Sequence, residues 1–198
     1  MTVDKVYVII RFMKTKAVIF DLDGTLLDSM HIWQEVPYNW VRINEGYRNE
    51  VVLKPGVYDF FKSLRKNNIR MVLATATDRR FVEPALRRNK IDNFFEAIFT
   101  CGEVGSSKET PMIYHKALEF LQHTQDPVSK ISKEEVWVFE DAYYAMKTAK
   151  NAGFKVAAVD DKWASTLWEV TAEEVDEIMA RVDLHIKDYR KISLHQLG

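Results

Sequence analysis

The sequence predicts an α/β fold, a parallel sheet with helices on both faces, interrupted near its start by an abbreviated helical insertion. Three observations point there. Short β-branched runs alternate with longer helical patterns along the chain, which is the signature of strands joined by crossover helices. Several of the apolar runs end in acidic or hydroxyl residues. The chain has 198 residues, 47% of them hydrophobic, enough for the core of one domain.

Taken in order, "KAVIFD" (16–21) reads as a strand, "GVYDFFKSLRKNN" (56–68) as a helix and "IRMVLAT" (69–75) as the next strand. A helix over "DRRFVEPALRRN" (78–89) and a strand over "FEAIFT" (95–100) follow. The second half repeats the pattern: helix "PMIYHKALEFLQHT", strand "EEVWVFED", helix "AYYAMKTAKNAG" closed by Gly153, and strand "FKVAAVDD". "TAEEVDEIMARV" reads as an amphipathic solvent-side helix, and "DLHIKDYRKI" as a last short strand and turn.

With 28 basic and 29 acidic residues the net charge is −1, so no broad field for nucleic acid or anionic lipid is expected. The single cysteine, Cys101, excludes an internal disulfide and fits a reducing cytoplasm. Its setting after "AIFT" suggests a small packing residue and not a nucleophile. "VYVIIRFM" (6–13) is too short to span a membrane and lacks a following cleavage site. Residues 1–12 are read as an extension the fold does not require, with Met13 a natural alternative start.

In open parallel sheets ligands bind beyond the carboxyl ends of the strands. Asp21 and Asp23 follow the first strand, Thr75 and Thr77 follow "MVLA", and Glu140 and Asp141 follow "VWVF"; Lys108 lies in the loop "GEVGSSKETP". Two carboxylates forced together are tolerable if a divalent cation neutralises them or if one carries a proton. An oxygen-only ligand set favours magnesium, with Asp21 and Asp141 as ligands. Asp21 would then face a phosphate and could attack phosphorus, while Asp23, past the turn at Gly24, would exchange a proton with the leaving oxygen. Thr75 and the backbone N–H groups near Asp23 and Thr77 would hold phosphate oxygens, and Lys108 would offset their charge.

The segments "DLDGTLLDS", "LATAT", "SSKETP" and "VFEDAYYAMKTAKNAG", in that order, resemble the four motifs of the haloacid-dehalogenase-like (HAD) phosphohydrolases, in the branch similar to beta-phosphoglucomutase. The resemblance runs from about Lys16 past Gly153 and implies one Rossmann-like core. It implies Asp21 as nucleophile and magnesium ligand, and Asp23 as general acid/base that also lends its backbone carbonyl to the metal. Thr75, the adjoining Ala76 and Lys108 would bind phosphate, Asp141 would be the third protein ligand, and Glu140 would stand in the outer shell. Plainer readings exist for each: Asp-Gly is a common turn signal, Asp141 can cap the helix it precedes, Thr75 can be an ordinary strand residue and most lysines are solvated. Tyr143, Tyr144, Trp163 and Trp168 are read as packing residues, and His31 as the one histidine within reach of the site.

This chain departs from that pattern in one large respect. Only 24 residues separate Ser29 from Lys54, room for one or two short helices and not for a four-helix cap. The expected domains are therefore the extension 1–12, a core of 13–29 and 53–198, and a shortened cap of 30–52. Ala145 stands where relatives often have glycine. A mutase must hold and turn its intermediate in a closed site, so the short cap favours hydrolysis of a small phosphorylated substrate. The alternatives are a phosphosugar mutase or phosphotransferase, or a non-catalytic binding module. A short cap also implies an open site with slight discrimination among sugar parts. Trp33, Tyr38, Trp40 and Tyr47 are too many rings for the cap to bury alone, so they are expected on the core rim or against a second copy, as a homodimer.

Overall fold

A computed structural model describes residues 15–35, 39–123, 131–163 and 170–198. The segment 1–14, Tyr38 and Trp168, on which some expectations fall, lies outside them. Six strands form one parallel sheet: β1 (Ala17–Phe20), β4 (Arg70–Thr75), β5 (Ile98–Thr100), β6 (Val136–Glu140), β7 (Lys155–Val159) and β8 (Leu184–Ile186), in the order β5-β4-β1-β6-β7-β8. Ala17 to Phe20 pair with Arg70 to Leu73 on one side and with Val136 to Phe139 on the other. The chain thus leaves the central strand toward β4 and β5, crosses back, and continues toward β6, β7 and β8. That reversal opens a crevice beyond the carboxyl end of β1.

The strands are apolar throughout because both faces are covered. On β1, Val18 and Phe20 join one cluster while Ala17 and Ile19 join the other, and β6 splits in the same way into Trp137 and Phe139 against Val136 and Val138. The first face receives α3 (Val57–Lys66) through Phe60, Phe61 and Leu64, and α4 (Arg79–Arg88) through Phe81, Ala85 and Leu86. The second receives α6 (Met112–His123) through Ile113, Ala117 and Leu121, α7 (Tyr143–Asn151) through Met146 and Ala149, and α8 (Ala172–Met179) through Ile178. Local chemistry sets the helix ends. The Asp78 carboxylate accepts from the Arg80 N–H at 3.1 Å to start α4. Gly153, at φ 90°, turns the chain out of α7, with the Phe154 N–H bonded back to the Ala149 carbonyl.

The sequence pattern did not show two small features. A two-stranded antiparallel ribbon, β2 (Leu27–Asp28) with β3 (Val52–Leu53), closes the base of the insertion. A single turn, α5 (Cys101–Val104), follows β5. Between β2 and β3 lie α1 (Met30–Glu35) and α2 (Trp40–Asn49). Ile32, Ile43 and Tyr47 from these two helices are fully buried in the same cluster as α3 and α4. The "DLHIKDYRKI" segment supplies β8, which extends the sheet beside β7.

Candidate active site

Three strand ends and one loop converge on the crevice. Asp21 follows β1, its N–H donating to the Phe139 carbonyl of β6 at 3.0 Å; Thr75 ends β4; Glu140 ends β6 and Asp141 follows it; Lys108 comes from the loop between α5 and α6. All five are buried. The carboxylate oxygens of Asp21, Glu140 and Asp141 lie within 4.8 Å of one another. Lys108 Nζ donates to Asp21 Oδ1 and, at 2.5 Å, to Glu140 Oε1. Tyr114 adds a hydrogen bond to Glu140 at 2.9 Å, and Thr25 one to Asp141 Oδ1 at 2.8 Å.

The turn after Asp23 permits this crowding. Gly24 sits at φ 77°, and a Cβ there would fall 2.3 Å from Asp141 Oδ2. Glycine is needed twice over at this position, for its backbone angle and for the absent side chain.

Asp23 points elsewhere. Its carboxylate takes hydrogen bonds from Ser29 at 2.6 Å and Tyr47 on Oδ1, and from Thr77 at 2.7 Å on Oδ2. Trp33 Nε1 in turn donates to the Tyr47 hydroxyl at 2.8 Å. Burial and the neighbouring Asp21 charge push the Asp23 carboxyl above its ordinary range, with the three donors only partly offsetting them. A carboxyl shifted in this direction holds its proton more readily than a free one.

Burial, with the charges of Asp21 and Glu140, also holds Asp141 well above the usual carboxylate range. Burial pushes Glu140 up to about 7, partly opposed by Lys108. Burial works against the Lys108 charge, but Asp21 and Glu140 more than offset it and its pKa is raised. Three carboxylates against one ammonium leave excess negative charge among buried side chains. A hard divalent cation with oxygen ligands, such as magnesium, fits that donor set.

Each residue expected from the sequence can now be placed. Asp21, Asp23, Thr75, Ala76, Lys108, Glu140 and Asp141 all line one cavity of about 430 Å³. The acidic group that could hold a cation comprises Asp21, Asp141 and Glu140, so Glu140 stands within it, and the Asp23 side chain is engaged outside it. The Thr77 N–H, expected near phosphate, donates to Thr75 Oγ1 at 3.1 Å. His31 is half-buried and does not line the cavity.

Tyr47, Trp33, Tyr114, Thr25 and the Thr77 side chain received no site role from the sequence. Thr25 and Ser29 lie inside "DLDGTLLDS" and could have been suspected from it. Nothing in the sequence signals that Tyr47, 24 residues beyond Asp23, returns to touch it.

A buried acidic group with one lysine, at the strand ends of a parallel α/β sheet, is a donor set that could hold a cation. The Haloacid dehalogenase-like hydrolase family model matches residues 37–159, and the chain belongs to that family. The match takes in Thr75, Lys108, Glu140 and Asp141, with Asp21 and Asp23 just upstream. Pyrophosphatase PpaX of Bacillus thuringiensis (strain Al Hakam) is 24% identical over 189 residues, covering 74% of this chain and 84% of that protein. PpaX of Bacillus cereus (strain B4264) is 28% identical over 127 residues, 64% of this chain and 55% of that protein.

Among solved structures, CbbY from Rhodobacter sphaeroides in complex with phosphate superposes with a TM-score of 0.72 at 18% identity, over 92% of this chain and 99% of that one. L-2-haloacid dehalogenase from Xanthobacter autotrophicus gives 0.61 at 16% identity, over 90% and 100%. These likenesses establish the fold; which bond is cleaved rests on the site. Among the described residues no helix is long and apolar enough to cross a membrane.

Proposed function

We propose that this hydrolase cleaves phosphomonoesters with magnesium through an aspartyl-phosphate on Asp21. The observation that carries the reading is the division of labour between two carboxylates two residues apart. Asp21 lies with Glu140, Asp141 and Lys108, whereas Asp23 is turned away and held by three hydroxyl donors. This division supports Asp21 as the nucleophile and Asp23 as the proton carrier.

In the first step an Asp21 oxygen forms a bond to phosphorus, the ester P–O bond breaks, and the leaving oxygen takes the Asp23 proton. In the second step water attacks the same phosphorus, Asp23 recovers a proton from it, and phosphate leaves with Asp21 restored. Lys108 holds Asp21 in place and faces the negative charge of the phosphoryl oxygens, which Thr75 and the backbone at Ala76 flank. Magnesium, held by Asp21, Asp141 and either the Glu140 carboxylate or the Asp23 carbonyl, would offset phosphate charge and relieve the carboxylate repulsion.

The 24 residues between Ser29 and Lys54, which include the short helices α1 and α2, support a shortened cap. Hydrolysis fits such a cap better than isomerisation. Val41, 70% exposed on α2, fits the expected contact between two copies through the cap.

Turnover of p-nitrophenyl phosphate, measured with magnesium and after chelation, tests the reading. Magnesium-dependent release that Asp21→Asn abolishes supports it, and full activity of Asp21→Asn refutes it. Transfer of the phosphoryl group to an added sugar instead of water would favour the phosphotransferase alternative.

A further inference from the structure

We infer that the site selects monoesters whose alcohol carries an apolar ring, and rejects esters whose leaving group bears a second anion. This rests on the phosphohydrolase reading above and names its substrate class. The cavity has two unlike walls. Its floor is the carboxylate cluster with Lys108, and its cap side is formed by Met30, Trp33 and Trp40.

The polar atoms on the cap side face away from any ligand. Trp33 Nε1 is used on the Tyr47 hydroxyl, and that hydroxyl is used on Asp23, so Trp33 offers the cavity only carbon. Trp40 stacks on Phe81 at 6.0 Å and 8° and remains half exposed at the mouth. An aromatic ring held this way is a platform for another ring.

The charges decide what cannot bind. Among the described residues that line the cavity, Lys108 is the one cation, and Asp21 and Glu140 already hold it. Arg80 lies over the Trp40 ring and pairs with Asp78 outside the lining. A second phosphate or a carboxylate on the alcohol would therefore be desolvated against rings and carboxylates with no uncommitted cationic side chain in the lining to pair with it, which is costly. A cavity of about 430 Å³ has room for a phosphoryl group and a small ring system.

The test compares three primary-alcohol esters of similar intrinsic reactivity, benzyl phosphate, glycerol 3-phosphate and 2-phosphoglycolate, with pyrophosphate added, all in excess magnesium. Benzyl phosphate is expected to lead every other by at least fivefold in kcat/KM, with phosphoglycolate and pyrophosphate lowest. A smaller lead, or a lead for phosphoglycolate or pyrophosphate, overturns the inference. Calorimetric binding of benzylphosphonate and phosphonoacetate in magnesium reads the same preference without turnover. If nothing in the panel is hydrolysed, the hydrolase reading falls, and the binding ratio, at least fivefold for benzylphosphonate or less, still decides this one. Trp40→Lys tests the cause on a partly exposed residue. It should reduce the benzyl-to-phosphoglycolate ratio at least fivefold, and an unchanged ratio would refute the role given to the cap wall.

Discussion

At the carboxyl ends of β1, β4 and β6 the polar side chains are buried and hydrogen-bonded, with Lys108, Glu140 and Asp141 all at most 3% exposed. Across the cavity, α1 and α2 present rings, and Trp40 stays half exposed. The floor carries an excess of negative charge that a cation would relieve, while the cap offers apolar contact and, among the described residues, one hydroxyl, that of Tyr47, committed to Asp23. The contrast teaches that chemistry and selectivity are separable here. The floor is set by strand ends that the sheet fixes rigidly, and the wall by a short insertion that reaches the floor through a single hydrogen-bonded chain, Trp33 to Tyr47 to Asp23.

The floor breaks most completely at its nucleophile. Asp21→Asn is expected to lower kcat roughly ten-thousand-fold, measured on p-nitrophenyl phosphate, because the amide oxygen is a poor nucleophile. Lys108→Met should follow, with a loss of roughly a hundredfold or more in kcat and about 3 kcal/mol of stability in urea melts, since it strips Asp21 and Glu140 of their counter-charge. Magnesium should restore part of that stability, because it supplies the missing positive charge.

Stability against pH sharpens the comparison without any substrate. Glu140 is raised from 4.5 to about 7, and Asp23 and Asp141 are raised above 3.8. A raised folded pKa gives stability that is complete below the unfolded value and lost as pH climbs through the folded one. The metal-free protein should therefore melt lower at pH 8 than at pH 5, by about 5 °C. Lys108, whose pKa is raised, stays charged across this window and adds no slope. Magnesium should flatten the profile. A metal-free Tm that rises from pH 5 to pH 8 would show that the three carboxyls ionise there without penalty.

The smallest expected effect lies at the junction of floor and wall. Tyr47→Phe removes one of three donors to Asp23 and leaves Trp33 Nε1 without its acceptor. It should lower kcat about tenfold on an alkyl phosphate, which needs a proton on its leaving oxygen, and less on p-nitrophenyl phosphate, which does not. An equal loss on both esters would assign Tyr47 to packing alone.

The sequence by itself determined the sheet, its alternation with helices, and the strand ends that carry Asp21, Thr75, Glu140 and Asp141. Those features follow from the local periodicity of side chains and from turn and cap chemistry within a few residues. It also placed Lys108 at the site, through the resemblance of "SSKETP", and limited the insertion to one or two short helices by counting residues. Only the tertiary structure decided that the Glu140 carboxylate stands beside Asp21 and that Tyr47 holds Asp23. It alone also gave Trp33 and Trp40 to the cavity and paired β2 with β3. The reason is physical. A hydrogen bond such as Tyr47 to Asp23 depends on where α2 docks against the sheet, and that docking is fixed by the joint packing of Ile32, Ile43, Tyr47 and Phe81, residues far apart in the chain whose spacing records no common period.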